Sequence, residues 1–289
     1  MIRRFFTVGF ALLIISCASG HHRPYEEKMA PARDFSAVQA GLQSAVSSSP
    51  HLSFKKIGRI AYDGFQTAMW CVSFRPQAPM SYKVLINAGI HGNEPASVAF
   101  ALQFMEHLAN NPDTYSSVAI DIVPIVNPWG WIHDIRYNRD GIDINRDFST
   151  FHSQEAKAIA DFLKDKSYDL VLDLHEDRFA KGFYIYQYGM DDKAMAENVV
   201  AAIKHMGYPI EEKVNLLILK AENGIIDAPM WGLWYMRLTG QMSLSNYYRL
   251  NHSQQVYTIE NPTEFGMQER VRMQWTAVEV LIEGSRYRK

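Results

Sequence analysis

The stretch NAGIHGNEPASVAF, residues 87–100, joins the end of an apolar run to the start of a helical pattern. His91 and Glu94 lie three residues apart at the join, with a glycine and an asparagine between them. A proline follows directly, and proline suits the first turn of a helix because its missing N–H would have no partner there. The pattern predicts a strand over 82–90 and a helix over 95–109, with two possible metal ligands in the turn between them.

The alternation of apolar strands and helices continues along the chain. Further strands are expected over residues 118–126, 169–174, 183–188 and 256–259, and further helices over 34–47, 153–164, 194–205 and 263–283. Strands that are apolar almost throughout need cover on both faces. The sequence therefore predicts a single-domain α/β fold with a mostly parallel or mixed twisted sheet and helices on both faces.

The composition indicates a globular protein with a sizeable core. Apolar residues make up 47% of the 289 residues and charged residues 21%, which is typical of folded domains. The net charge is -2 and the sequence has no basic block. Nothing in the chain therefore favours nucleic-acid binding.

The first residues, MIRRFFTVGFALLIISCASG, have the pattern of a secretory signal. Two arginines precede an apolar run over 5–15, which is too short to span a bilayer because that takes about 20 residues. The segment IISC resembles a bacterial lipobox, in which Cys17 would carry the lipid. The alternative is an ordinary signal peptide with an incidental cysteine.

The expected organisation is a lipoprotein-type signal peptide over 1–17, a tether over 18–33 and a catalytic domain over 34–289. An alanine follows Cys17, which favours an anchor in the outer membrane of the bacterial envelope, facing the periplasm. Contact with the membrane is expected through this lipid anchor only. Cys71 then has no disulfide partner, and its apolar surroundings predict a buried, inert thiol.

Reactive residues fall at the ends of three predicted strands. KVLINAGI ends at His91, DLVLDL at His175 and VYTI at Glu260. In open α/β sheets, ligands bind outside the carboxyl ends of the strands. Two histidines and one carboxylate form a common catalytic zinc site that leaves the fourth position to water. A single reactive residue near the end of a strand can occur by chance, but the combination of several predicts a site for one Zn²⁺ ion.

The motifs HGNE, NPWGWIHDIRYNRDGIDINRDF, DLHED and IEN follow one another between about residues 81 and 262. In this order they resemble the zinc carboxypeptidase superfamily, which includes murein peptide amidases and the succinylglutamate desuccinylase and aspartoacylase group. The resemblance implies a zinc carboxypeptidase-like fold. It also implies that His91, Glu94 and His175 bind the zinc ion.

The resemblance implies roles for four further residues. Glu260 would be the catalytic glutamate, Arg136 would polarise the scissile carbonyl, and Asn145 with Arg146 would receive a substrate carboxylate. The chemistry of these side chains agrees, because a carboxylate can carry a proton and a guanidinium can hold an oxyanion or a carboxylate. The alternative for Arg146 is an ion pair with an aspartate of its own loop.

Two assignments stay open. The tyrosine that caps the substrate in digestive carboxypeptidases could be Tyr235, Tyr247 or Tyr248, or none of them. Glu176 and Asp177 follow the second histidine directly. They could orient the metal site, contact an amino group of the substrate, or lie in solvent as an ordinary loop pair.

The expected function is a zinc-dependent metallopeptidase, a carboxypeptidase or amidase, that hydrolyses an amide bond near a free carboxylate of cell-wall peptides. The alternative is an N-acyl amino acid deacylase, which HGNE favours; a third possibility is an inactive zinc-binding lipoprotein. Only 29 residues follow Glu260, which favours the single-domain carboxypeptidase architecture over the two-domain aspartoacylase one. In those residues Val271, Trp275, Val278 and Ile282 recur at helical spacing and are expected to pack on the core.

Overall fold

The computed structural model describes residues 24–25, 29–212, 215–216 and 219–286. Within them the chain forms a ten-stranded sheet flanked by helices. The expected signal peptide, with Cys17, lies outside the described residues. Among those described, no helix combines the length and the apolar character needed to cross a membrane.

The bounds of the described elements follow chain order. The strands are β1 (Leu52–Tyr62), β2 (Phe65–Phe74), β3 (Tyr82–Asn87), β4 (Val118–Val123), β5 (Leu170–Asp177), β6 (Tyr184–Tyr188), β7 (Asn215–Leu216), β8 (Leu219–Glu222), β9 (Ile225–Ala228) and β10 (Val256–Pro262). The helices are α1 (Phe35–Ser47), α2 (Pro95–Asn110), α3 (Pro128–His133), α4 (Gln154–Leu163), α5 (Ala194–His205), α6 (Met230–Leu238), α7 (Leu244–Asn251) and α8 (Met267–Arg286).

The sheet has the strand order β1-β2-β4-β3-β5-β10-β6-β9-β8-β7. Its centre is parallel, because β3 pairs in parallel with β4 and β5, and β5 pairs in parallel with β10. The hairpin of β1 and β2 and the strand β6 add antiparallel pairs on either side. Every residue of β4 is buried, as expected for a central strand that is covered on both faces. The predicted mixed α/β sheet is therefore confirmed.

Each face of the sheet carries its own apolar core. Helices α1, α2, α5 and α8 contribute to the larger core, and α4 and α7 contribute to the core on the other face. Phe104 of α2 packs edge-on against Trp275 of α8, with 5.5 Å between ring centroids. Val271, Val278 and Ile282 of α8 are buried in the same core, so the expected packing of the last helix is confirmed.

The predicted elements differ from the observed ones at their ends, and the structure adds elements that were not predicted, among them α3, α6, α7 and β9. The helix over 194–205 has the predicted bounds. The last strand extends beyond residue 259, because β10 stays paired with β5 up to Pro262, whose register partner is Asp177. The prediction that the last helix begins at residue 263 is therefore wrong, and α8 begins at Met267.

The end of the expected tether is held against the domain. The backbone N–H of Arg33 donates to the carbonyl oxygen of Ile132 at 2.9 Å. Its guanidinium donates to the carbonyl oxygens of Gly92 at 2.9 Å and Trp131 at 2.7 Å. Arg33 thus contacts the turn that follows β3, where the candidate metal ligands lie.

Cys71 of β2 should be unreactive in the native protein. Burial raises the pKa of its thiol to about 12, and thiolate, not thiol, is the nucleophile. We expect the Cys71 peptide to stay unmodified when the folded protein meets iodoacetamide at pH 8, and to be alkylated once denaturant is added. Peptide mass spectrometry measures both states. Rapid alkylation without denaturant would contradict the burial of this strand.

Candidate metal centre and active site

The predicted site residues come together at the carboxyl edge of the central strands. His91 lies in the turn after β3, and His175 and Glu260 lie on the neighbouring parallel strands β5 and β10. Glu260 is the register partner of His175. Both strands continue for two residues beyond these positions, so the prediction that the strands end there is wrong, although the residues do lie near the ends.

Glu94 lies between two imidazoles. Its Oε1 is 2.5 Å from Nδ1 of His91, and its Oε2 is 2.9 Å from Nδ1 of His175. The three residues are 3%, 4% and 1% exposed in chain order, and one ligand atom from each lies within 4.8 Å of the others. The structure thus brings the three predicted metal ligands into one buried group.

Gly92 is required for this arrangement. A Cβ atom at Gly92 would lie 1.9 Å from the carbonyl carbon of Gly130 in α3, so any other residue would push the helix away from the turn. Pro95 begins α2 immediately after Glu94. The turn between β3 and α2 is therefore tightly constrained, and it directs the side chains of His91 and Glu94 to the same point.

Each imidazole also faces an aspartate on its far side. Nε2 of His91 lies 3.4 Å from Oδ1 of Asp143, and Nε2 of His175 lies 3.3 Å from Oδ2 of Asp173. Metal-bound histidines commonly turn their second nitrogen to a carboxylate, which fixes the tautomer and the ring orientation. Sequence reasoning missed both aspartates as partners of the histidines.

The electrostatics of the group favour a bound cation. Burial alone would raise the pKa of Glu94, but the two imidazoles hold it well below its usual range. Burial lowers the pKa of His175, yet Asp173 and Glu94 together raise it well above its usual value. Two imidazoles and one ionised carboxylate, with carboxylates behind them, fit the donor set of a catalytic zinc site.

Arg136 borders the metal group. Its Nη1 lies 3.2 Å from Nδ1 of His91 and 3.8 Å from Oε1 of Glu94. Its Nε and Nη2 donate to Oδ2 of Asp143 at 3.0 and 2.9 Å. Asp143 therefore orients both His91 and Arg136, and Nη1 is the part of the guanidinium that is directed to the centre.

Arg146 has no such partner. Its one described side-chain hydrogen bond runs from Nη1 to the carbonyl oxygen of Asn145 at 2.7 Å, and no described carboxylate lies within ion-pairing distance. Asp147 accepts hydrogen bonds from the N–H and the Oγ of Ser153, each at 2.7 Å, while Asp143 is paired with Arg136. Among the described residues Arg146 therefore forms no close ion pair with Asp143 or Asp147, although its charge helps to lower the pKa of Asp143.

Arg146 and Glu260 open onto one cavity of about 290 Å³. They are the charged residues among those that line it, and Asn145 lies beside them. The Oδ1 atom of Asn145 accepts the N–H of Leu244 at 2.9 Å, so this residue also anchors the start of α7. The other lining residues include Tyr186, Tyr188, Leu233, Tyr235, Met236 and Thr258.

A chain of hydroxyl groups leads from this cavity to the metal group. The Tyr188 hydroxyl lies 2.8 Å from Oγ1 of Thr258, which lies 2.7 Å from Oγ of Ser245. Ser245 donates to Oδ2 of Asp173 at 2.8 Å, and Asp173 faces His175. Hydrogen bonds thus connect the wall of the cavity to Asp173, which faces the candidate metal ligand His175.

Glu260 has the electrostatic character of a proton carrier. Burial raises the pKa of its carboxyl to about 8; His175 opposes this shift, while Glu94 and Asp177 add to it. A carboxyl with a raised pKa beside a metal group can both accept and release a proton near neutral pH.

The structure separates the three candidate tyrosines. Tyr248 is fully buried, and Tyr247 packs among aromatic rings. Tyr235 lines the cavity and is 59% exposed.

Sequence reasoning missed Tyr186 and Tyr188, which line the cavity from β6. Their spacing of two in FYIYQY was the available signal, since alternate residues of a strand share a face.

Comparisons with known proteins agree with this geometry. A family model described as the succinylglutamate desuccinylase/aspartoacylase catalytic domain matches residues 81–215. A "putative metallopeptidase" from Shewanella denitrificans OS217 is 22% identical, with a TM-score of 0.72 over 87% of this chain and 90% of that chain. Carboxypeptidase A from Helicoverpa armigera is 16% identical, with a TM-score of 0.65 over 88% and 73%. A search of curated proteins gives no significant match.

The fold is of the carboxypeptidase kind, and its buried group of two histidines and one glutamate is a candidate site for a metal ion. The chain shares its fold with these metallopeptidases and carboxypeptidases, and its residues 81–215 resemble the succinylglutamate desuccinylase/aspartoacylase catalytic domain. The matched segment contains both histidines and Glu94, as well as Arg136 and Arg146. The matched segment ends before β10, so Glu260 lies outside the matched segment.

Asp143 should tune metal binding, because it contacts both His91 and Arg136. Asp143→Asn preserves the shape but removes the charge, so we expect zinc affinity to fall about 10–100-fold, as for other partners of ligating histidines. Competition with a chromophoric chelator measures the affinity. Asp140→Asn, which changes an exposed carboxylate of the same loop, is the matched control. Equal affinities of both variants and the unchanged protein would remove Asp143 from this role.

Proposed function

We propose that this protein is a zinc-dependent metallopeptidase, a carboxypeptidase or amidase, that hydrolyses an amide bond next to a free carboxylate. The observation that carries the proposal is the environment of Arg146. Its guanidinium has no carboxylate partner among the described residues and lines the same cavity as Glu260. A cation in that position is suited to a substrate that brings its own negative charge.

His91, Glu94 and His175 would hold one zinc ion, which supplies a water of lowered pKa and polarises the substrate carbonyl. Glu260 accepts a proton from the attacking water and donates it to the nitrogen of the leaving amine. The water oxygen becomes bonded to the carbonyl carbon, and the C–N bond breaks. Nη1 of Arg136 stabilises the negative charge that develops on the carbonyl oxygen.

The cavity restricts the group that bears the carboxylate. Its volume of about 290 Å³ lies at the lower limit of small-molecule pockets, which span roughly 300–1,000 Å³. It therefore accommodates about one residue of a substrate. Arg146 is the cation among the lining residues, which matches one carboxylate rather than the two of an N-acylated acidic amino acid.

The proposed location is the bacterial cell envelope. Residues 1–17 would direct export, Cys17 would carry the lipid, and residues 18–33 would tether the catalytic domain to the outer membrane, facing the periplasm. Cell-wall peptides are the substrates that this compartment offers. Mass spectrometry of products from a mixed pool of peptidoglycan fragments would identify the bond that is cut and the residue released.

An N-acyl amino acid deacylase is the second candidate. It is favoured by the form HGNE at 91–94 and by the matching family model. Incubation of the purified protein with murein peptides and, separately, with N-acyl amino acids distinguishes the two functions. Activity on the N-acyl amino acids alone would overturn the peptidase proposal.

Glu260→Gln should separate catalysis from metal binding. The amide keeps the size of the side chain but cannot carry the proton, so we expect hydrolysis to fall at least about 100-fold. The zinc content, measured by atomic emission, should stay at one ion per chain because Glu260 is not among the proposed ligands. Unchanged hydrolysis would remove Glu260 from the mechanism. An unchanged protein that binds zinc but hydrolyses neither substrate class would indicate a binding protein instead.

Arg146→Ala should weaken substrate binding in a charge-specific way. For substrates with a free carboxylate we expect KM to rise about 10–100-fold, which corresponds to about 1.5–3 kcal/mol for a hydrogen bond to a charged group. The same substrates with that carboxylate amidated should be affected little, because the charge that Arg146 binds is already missing. Arg136→Ala should instead lower kcat by roughly 100-fold or more on both substrates, as when an oxyanion donor is removed.

Steady-state kinetics on the paired substrates measures both effects. Arg139→Ala is the matched control, since it removes an arginine of the same loop that does not line the cavity. Equal losses on free and amidated substrates for Arg146→Ala, together with a lower melting temperature, would reduce Arg146 to a structural role.

A further inference from the structure

The proposed mechanism does not use a buried ion pair that lies behind the metal group. Arg270, in the first turns of α8, pairs through Nη1 with Oε1 of Glu176, the residue that follows His175. The side chain of Glu176 is 0% exposed and that of Arg270 is 12% exposed. Glu176 therefore cannot contact a substrate, and the pair must act within the protein.

Glu176 is connected to Glu94 in two ways. Its backbone N–H donates to Oε2 of Glu94 at 3.2 Å. Its own Oε2 accepts the N–H of Ala96, in the first turn of α2, at 2.9 Å. The end of β5 thus holds both the carboxylate of Glu94 and the helix start that positions it.

Helix α8 also holds the two neighbouring strands. The carbonyl oxygen of Arg270 accepts the side-chain N–H of Asn261, next to Glu260, at 2.8 Å. Nε2 of Gln274, one turn further along α8, donates to the carbonyl oxygen of His175 at 3.3 Å. One face of this helix therefore contacts the strands that carry His175 and Glu260, and it reaches Glu94 through Glu176.

We propose that Glu176 and Arg270 are positioning residues that set the distances among the metal ligands and the catalytic carboxylate. This inference rests on the proposed function, because it assumes that His91, Glu94 and His175 bind zinc. The pair fixes α2 to β5 through Ala96, while the backbone of Arg270 fixes α8 to β10. A guanidinium suits this place because its planar fork keeps a fixed direction toward a carboxylate, which a lysine ammonium does not.

The test is the zinc affinity of the folded full-length chain, measured by competition with a chromophoric chelator. Arg270→Met and Glu176→Gln should each weaken zinc binding about 10–100-fold, the range for residues that orient metal ligands. Arg270→Lys keeps the charge and should recover part of the loss. Circular dichroism at the assay temperature confirms that each variant is folded.

Two controls separate positioning from general stability. Arg286→Met removes another arginine of α8, one that pairs with Glu283 far along the helix. Val278→Ala opens a space in the buried face of α8 and lowers the melting temperature without touching the network. Both should keep the zinc affinity of the unchanged protein.

The outcomes are distinct. Zinc affinity that falls with Arg270→Met and Glu176→Gln, but not with the controls, supports the proposal. Affinity that stays unchanged in both variants, or that falls equally in Val278→Ala, overturns it. If Arg270→Met does not fold, Glu176→Gln and Arg270→Lys decide the question. Failure of the unchanged protein to bind zinc would instead refute the proposed function itself.

Discussion

A carboxylate buried between two imidazoles is the constraint on which the rest of this structure depends. An ionised carboxylate is costly to bury unless it is paired and hydrogen-bonded, and Glu94 is only 4% exposed. Its partners are His91 in the turn after β3, His175 in β5 and the N–H of Glu176. Strands β3 and β5 must therefore be parallel neighbours whose carboxyl ends meet, which is how they pair in the sheet.

Arg136 and Arg146, two of the three arginines in the loop over 136–147, differ in the groups that hold them, and this difference suits them to different electrostatic roles. Arg136 is fixed by two hydrogen bonds to Asp143, so its remaining nitrogen has a set direction. A donor held in advance is most effective toward charge that develops during a reaction. Arg146 has no described carboxylate partner, so it can bind a ligand that arrives already charged. The hydrogen bonds of Asp143 thus give Arg136 a fixed orientation that Arg146, ten residues further along the chain, does not have.

The sequence predicted the parts of the fold and site that depend on local pattern. Apolar runs and helix-start residues located β3, α2 and α5, and the order of short motifs identified His91, Glu94 and His175 as a set. The cavity was beyond this reasoning, because its walls come from β6, β9, α6 and α7, whose arrangement is set by tertiary packing. Arg270 was missed for the same reason, whereas Glu176 was among the residues that the sequence indicated could orient the metal site. Arg270 and Glu176 are 94 residues apart, and helical spacing predicts that α8 packs on the core but not where its arginine is directed.

The balance of charge explains why a cation belongs in this group and why several separate segments are needed to hold it. The carboxylates around the centre outnumber the guanidiniums; they are Glu94, Asp143, Asp173, Glu176, Asp177 and Glu260, against Arg136, Arg146 and Arg270. Burial is the largest cause of the raised pKa of the Glu260 carboxyl, to which Glu94 and Asp177 add, and Asp173 and Glu94 raise the pKa of His175. His91, Glu94 and His175 would hold a divalent ion, which would supply positive charge beside these carboxylates. Positive charge at that point favours the ionised form of a neighbouring carboxylate, and an ionised Glu260 can accept a proton from water.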